Sequence, residues 1–240
     1  DNRSGNFDVY VQRMDESGVV QWTAGGVAVC AAAGTQQYPR VADDGAGGAV
    51  VAWEDLRSGE LDVYAQRVSA AGSALWTANG VVVCGAADIQ QGLSVIPDGT
   101  GGVVLTWEDG RSGADDIYAQ RLNASGGAQW TANGVALCAS GAVGFIEALT
   151  SDGAGGAVCA WTDYRGTDTD LYMQHVDQWG RLGAQPTIAS VRDVANDEGG
   201  QVKVSWYASP LDSFPEYSIG TYNVYRSVPT SLVAQARRSG

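Results

Sequence analysis

Gly101-Gly102-Val103-Val104-Leu105-Thr106-Trp107-Glu108-Asp109-Gly110-Arg111-Ser112-Gly113 decides the fold. Val103 to Trp107 is a nearly continuous apolar run, too short and too β-branched for a helix. A strand reads this way when both of its faces are covered. A tight polar loop follows at Asp109 to Gly113, and Asp116 to Leu122 then alternates with period two, as a second strand does. The same order stands 54 residues earlier, where Gly47-Gly48-Ala49-Val50-Val51-Ala52-Trp53-Glu54-Asp55-Leu56-Arg57-Ser58-Gly59 leads into Asp62-Val63-Tyr64-Ala65-Gln66-Arg67.

Outward from this pair, the whole chain repeats. Tyr10, Tyr64, Tyr118 and Tyr172 are 54 apart, as are Trp22, Trp76 and Trp130, the second series Trp53, Trp107 and Trp161, and Cys30, Cys84 and Cys138. The loop recurs as Asp1-Asn2-Arg3-Ser4-Gly5 and, more loosely, as Asp163-Tyr164-Arg165-Gly166. Four series with one period make a tandem array. Each unit reads as four strands. In the middle unit, Gln90 to Ile96 is closed by Pro97-Asp98-Gly99, the two strands above follow, and Asn133-Gly134 precedes a short fourth strand at Val135 to Cys138. No stretch has helical periodicity.

Four antiparallel strands per unit of about 50 residues mark a propeller blade, since β-solenoid repeats are usually about half that length. The expected fold is therefore all-β: a β-propeller of 54-residue blades, four or five per chain, or part of a larger ring. Residues 1–184 divide into a half blade (1–30) and blades at 36–84, 90–138 and 144–184, and 185–240 form a divergent tail. Gly199-Gly200-Gln201-Val202-Lys203-Val204-Ser205-Trp206 mimics Gly47 to Trp53. The segment 186–208 is thus expected to pair with strands in 7–30 and complete a blade. Failing that, the ring closes in a homodimer or a larger assembly.

Composition excludes several classes. Against 14 Lys and Arg stand 27 Asp and Glu, a formal charge of −13, which repels polyanions and argues against nucleic acid as a partner. An apolar share of 45% can bury a core, so this is no disordered acidic tail. No apolar run approaches the ~18 residues of a membrane span. No leader precedes Asp1, so the chain reads as a mature form or a fragment. With His175 the only histidine and Lys203 the only lysine, a His-rich zinc site is excluded and Schiff-base chemistry nearly so.

The string Gly-Gly-Ala-Val-Val-Ala-Trp-Glu-Asp-x-Arg-Ser-Gly-x-x-Asp-Val-Tyr-Ala-Gln-Arg resembles repeats of large secreted bacterial proteins. More distantly it resembles the blades of the periplasmic Tol-system propeller, TolB. The resemblance spans about residues 1–176 and implies a propeller for binding or surface display, located extracellularly or in the periplasm. Pro186 to Val191 and Tyr222 to Arg226 resemble the first strands of a fibronectin type III module, so 185–240 reads either as ring closure or as a truncated module of that kind.

The repeated tryptophans, tyrosines and cysteines are expected to pack, since a residue kept in every unit serves stacking. The cysteines, in equivalent places of different blades, lie too far apart for disulfides and are expected to be reduced; a Cys138–Cys159 bridge is the alternative. The Asp-x-Arg-Ser-Gly-x-x-Asp loops bring two carboxylates near a glycine turn at Asp55 and Asp62, Asp109 and Asp116, and Asp163 and Asp170. Such oxygens suit Ca²⁺, yet the arginine between them suits an Asp–Arg ion pair that holds the loop.

Departures from the repeat carry the functional expectation. Glu147 replaces Pro39 and Leu93, Arg40 has Ser94 and Ala148 as counterparts, and His175 replaces Arg13, Arg67 and Arg121. Arg40, Ser94 and Glu147 are the candidate ligand-binding residues, and Glu147 and His175 the candidate catalytic ones. The expected function is an extracellular bacterial binding or display module for a glycan, a small ligand or a protein. The alternative is a Ca²⁺-dependent hydrolase of the lactonase kind working in a central channel.

Overall fold

The computed structural model describes residues 1–141, 143–165, 168–183, 188–193 and 202–206. Every regular element in them is a strand, and none is a helix. The chain splits into two compact units, Asp1–Gly183 and Ala184–Gly240.

The first unit is a succession of antiparallel meanders. β1 (Val9–Val11) and β2 (Val27–Cys30) pair alone. β3 (Gln36–Asp43), β4 (Ala49–Asp55), β5 (Asp62–Val68) and β6 (Val81–Cys84) form a four-stranded sheet in chain order. So do β7 (Gln90–Pro97), β8 (Val103–Asp109), β9 (Asp116–Leu122) and β10 (Val135–Cys138). β11 (Val143–Ser151), β12 (Ala157–Asp163) and β13 (Asp170–Val176) make a three-stranded sheet. The two four-stranded sheets have the same strand order and recur at the 54-residue spacing of the repeat.

In the second unit, β14 (Ile188–Asp193) pairs with β15 (Val202–Trp206) as a two-stranded sheet. One period beyond β10 lies 189–192, where a fourth strand for the β11–β13 sheet would fall. That stretch belongs to β14.

Burial explains the apolar second strands. Every residue of β8 is buried, because the sheets on either side cover both of its faces. Val63 and Ala65 of β5 are likewise fully buried, in one cluster with Val103, Leu105 and Trp107 of the next sheet. The last sheet differs. β12 alternates between buried and half-buried residues, and Leu171 and Met173, the counterparts of Val63 and Ala65, are 75% and 60% exposed. A face that each inner sheet turns to its successor is open here.

Turn chemistry sets the registers. Asn79 and Asn133 hold positive φ (63° and 61°) at the third place of turns closed by bonds from Gly80 N–H to the Thr77 carbonyl and from Gly134 N–H to the Thr131 carbonyl, both 2.9 Å, a place that Gly or Asn favours. A Cβ on Gly80 or Gly134 would collide with the Trp53 or Trp107 ring. A bulge interrupts β3 between Gln37 and Arg40 and recurs in β7 between Gln91 and Ser94.

Candidate functional site

Three constellations recur, and each joins one sheet to the next. In the first, Asp55 accepts two bonds from the Arg57 guanidinium (Nε to Oδ1 2.9 Å, NH2 to Oδ2 2.6 Å) and one from Trp53 Nε1 at 2.7 Å. The Arg57 guanidinium lies 3.9 Å over the Tyr64 ring, which itself stacks with Trp53. Arg57 also donates to the Asn79 carbonyl at 2.9 Å and to Cys30 Sγ of the preceding pair at 3.1 Å. Asp109, Arg111, Trp107, Tyr118 and Cys84 repeat the set, and so do Asp163, Arg165, Trp161, Tyr172 and Cys138. Burial raises Asp55, but its bonds from Arg57 and Trp53 outweigh that and hold it below the ordinary carboxylate range. Asp163 is brought down to about 2, chiefly by Arg165.

In the second, an aspartate caps the glycine turn and pairs with an arginine of the third strand. Asp44 Oδ1 accepts from the Ala46 and Gly48 amides at 2.8 Å, and its Oδ2 pairs with Arg67 Nε at 3.0 Å. Arg67 then reaches forward to the Ala124 carbonyl at 3.1 Å, which Trp76 Nε1 also engages at 3.0 Å. Arg121 and Trp130 treat the Gln178 carbonyl in the same way, as Arg13 and Trp22 treat that of Ala70. In the third, Glu54 accepts from the Gly92 amide of the next sheet at 3.0 Å. Desolvation lifts Glu54 and Glu108 above their ordinary range.

The sequence-derived candidates divide accordingly. Asp55, Asp109 and Asp163 have both carboxylate oxygens engaged by arginine and tryptophan. Asp62, Asp116 and Asp170 stand opposite them in register, and Ser112 bonds Asp116 at 2.8 Å. Among the described residues, no three His, Cys, Asp or Glu side chains gather as a metal site. His175 keeps the aspartate pairing that Arg67 and Arg121 make at the sister positions, with Nε2 2.9 Å from Asp152 Oδ2. Arg40 is exposed and donates to the Pro39 carbonyl at 3.3 Å. Ser94 is half-buried opposite Thr106. Glu147 lies in β11, and its side chain falls outside the described residues. The four cysteines are buried and free, with burial pushing the Cys84 thiol to about 11 and Cys159 to about 12.

A further site emerges where β1 meets β3. A cleft of about 380 Å³ is lined by Asp1, Phe7, Asp8, Tyr10, Gln36 and Tyr38, together with Val9, Gln37 and Pro39. The Gln36 amide bonds the Phe7 carbonyl at 2.8 Å, which brings the two strands together. Asp8 and Gln36 are 3% and 2% exposed, and Asp8 Oδ1 and Gln36 Oε1 have no hydrogen-bond partner among the described residues, a state that Gln90 Oε1 shares at the sister position of Gln36. Leaving such acceptors unmade costs about 1–3 kcal/mol each. Phe7 and Tyr38 are both more than half exposed at its walls. Tyr38 holds φ at 49° in the bulge, where the sister position is Gly92 at 65°. A bulky residue in the left-handed region is strained, and strain of this kind gathers at functional sites.

No family model and no curated protein matches the chain.

The functional reading therefore rests on this geometry. Sequence reasoning overlooked the cleft because Asp8 and Gln36 belong to the repeat, with Asp62 and Gln90 as counterparts. The available signal was in the walls. Phe7 stands where the sister units have Leu61 and Asp115, and Tyr38 where they have Gly92 and Ile146.

Proposed function

We propose that the chain is a binding or display module of the β-propeller kind, working outside the cytoplasm, which engages a glycan, a small ligand or a protein through residues that depart from the repeat. One observation carries this reading: the aspartates, arginines and tryptophans kept in successive units are engaged in joining sheets. Chemistry left for a ligand lies where the repeat is broken, at the cleft walled by Phe7 and Tyr38. The four-stranded sheets are read as blades. The location outside the cytoplasm rests on the resemblance to secreted repeats alone.

The test is a binding screen of the immobilised chain against glycans, small cations and peptides, with Tyr38→Gly alongside. Hits that vanish with Tyr38→Gly are expected. Hits indifferent to it, or turnover of an ester or lactone substrate, would contradict the reading.

A further inference from the structure

We infer that the two Asn-Gly pairs of the sequence, Asn79-Gly80 and Asn133-Gly134, are deamidation sites that the joints between sheets hold closed, and that Asn79 converts before Asn133. This goes beyond the binding-module reading and does not depend on it. The chemistry needs only water. The Gly80 nitrogen, once it has lost its proton, attacks Asn79 Cγ; the N–Cγ bond forms, the Cγ–Nδ2 bond breaks, and ammonia leaves with a proton. Water then opens the succinimide at either carbonyl and gives aspartate or isoaspartate. Asparagine is among the thermolabile residues, and a glycine after it has no Cβ to hinder the attack.

The fold ties down both reacting groups. Gly80 N–H donates to the Thr77 carbonyl and Gly134 N–H to that of Thr131, both at 2.9 Å. Both glycines are buried, against the Trp53 and Trp107 rings, so a base in solvent does not reach their amides. Asn79 Oδ1 accepts from the Ala31 amide and Asn133 Oδ1 from the Gly85 amide, both at 3.2 Å, and each donor follows the last strand of the preceding sheet. The Asn79 and Asn133 carbonyls accept from Arg57 and Arg111 at 2.9 and 2.8 Å. Each asparagine is thus part of a joint between sheets, and the succinimide closes only when that joint opens locally. Asn79 is exposed and Asn133 half-buried, which sets the order. Isoaspartate adds a methylene to the main chain, so a converted turn no longer fits the joint.

The test is peptide mapping by mass spectrometry of the full chain aged at mildly alkaline pH, with and without urea, isoaspartate being marked by isoaspartyl methyltransferase. In urea both pairs should convert together, and ahead of Asn123-Ala124. Without urea both should be more than about tenfold slower, with Asn79 leading. Ala31→Pro removes the amide that Asn79 Oδ1 accepts from, and should speed Asn79 up to about tenfold while leaving Asn133 unchanged. Asn133 in the same molecule reports whether the variant has loosened as a whole; should both quicken, the ratio and order in the parent decide. Equal rates with and without urea would overturn the protection. Asn133 leading, or Asn79 indifferent to Ala31→Pro, would overturn the role of the joint. Neither pair converting in urea would overturn the sites themselves.

Discussion

Tyr38 shows how a single residue departs from the rule that its sister units obey. At φ 49° it adopts a conformation that costs an L residue about 1–2 kcal/mol and costs glycine little. Tyr38→Gly is therefore expected to stabilise the fold, net of the flexibility it adds to the unfolded chain, by up to about 1 kcal/mol. Calorimetric melting should show a rise of roughly 2–4 °C; a fall would mean that the ring packs more than it strains. Carboxylates impose two opposing pH dependences. Asp44, Asp55, Asp98 and Asp152 are held below their ordinary range, because arginine or histidine partners and backbone amides outweigh burial. Their contribution is complete above the unfolded value near 4 and is lost as pH falls through their lowered values, with Asp163 persisting to about 2. Glu54 and Glu108 are raised by burial, so they favour folding at low pH and that contribution is lost as pH rises through the raised values. Glu54→Gln should remove part of this loss, so that denaturant unfolding at pH 7 gives a midpoint no lower than that of the parent. A clearly lower midpoint would show that the charged carboxylate is what the Gly92 amide requires.

Between sheets, the repeated arginine of the third strand is the connecting element, and its weight depends on what faces it. Arg67 and Asp44 form a partly buried pair, with side chains 15% and 1% exposed, before Arg67 reaches the next sheet. Arg13 is exposed and, among the described residues, its guanidinium bonds the Ala70 carbonyl at 3.3 Å with no carboxylate beside it. Arg67→Ala should cost about 3 kcal/mol, because it strands the Asp44 charge. Arg13→Ala should cost under about 1 kcal/mol. Equal losses in denaturant unfolding would mean that the forward bond, not the ion pair, does the joining. These elements were readable in the sequence. A nearly continuous apolar run at Val103–Trp107, bounded by paired glycines and an Asp-Arg loop, admits little else. The cleft was not readable, since Asp8 and Gln36 look like any other repeat members. The cleft's walls come from Phe7 and Tyr38, and the positive φ of Tyr38 carries no sequence mark. Of the ligand residues expected from sequence, Arg40 stands near enough to Glu54 for its charge to favour the carboxylate, and Ser94 lies opposite Thr106; an unrepeated side chain marks a difference without stating its use.

At the scale of the whole molecule, the first unit ends in a sheet of three strands, one face of which exposes Leu171 and Met173. An open strand edge beside apolar side chains invites association. Removing 185–240 is expected to lower stability or to produce oligomers in light scattering; an equally stable, monodisperse truncation would show that the tail contributes nothing to the folding of 1–184. The arginine loops hold the inner sheets to one another, and here the structural and the metal-binding accounts of the repeat diverge most sharply. Arg111→Ala leaves Asp109, which is fully buried, without its bidentate partner and cuts the link to Cys84. A loss of about 3–5 kcal/mol follows, or roughly 10 °C in melting temperature for a chain of this size. The measurement is the melting temperature of this variant and its parent, each with chelator and with millimolar calcium. The loss should be the same in both media, and calcium should move neither protein. An Arg111→Ala variant as stable as its parent, or one that calcium restores, would show that the loop carboxylates await a cation rather than join the sheets.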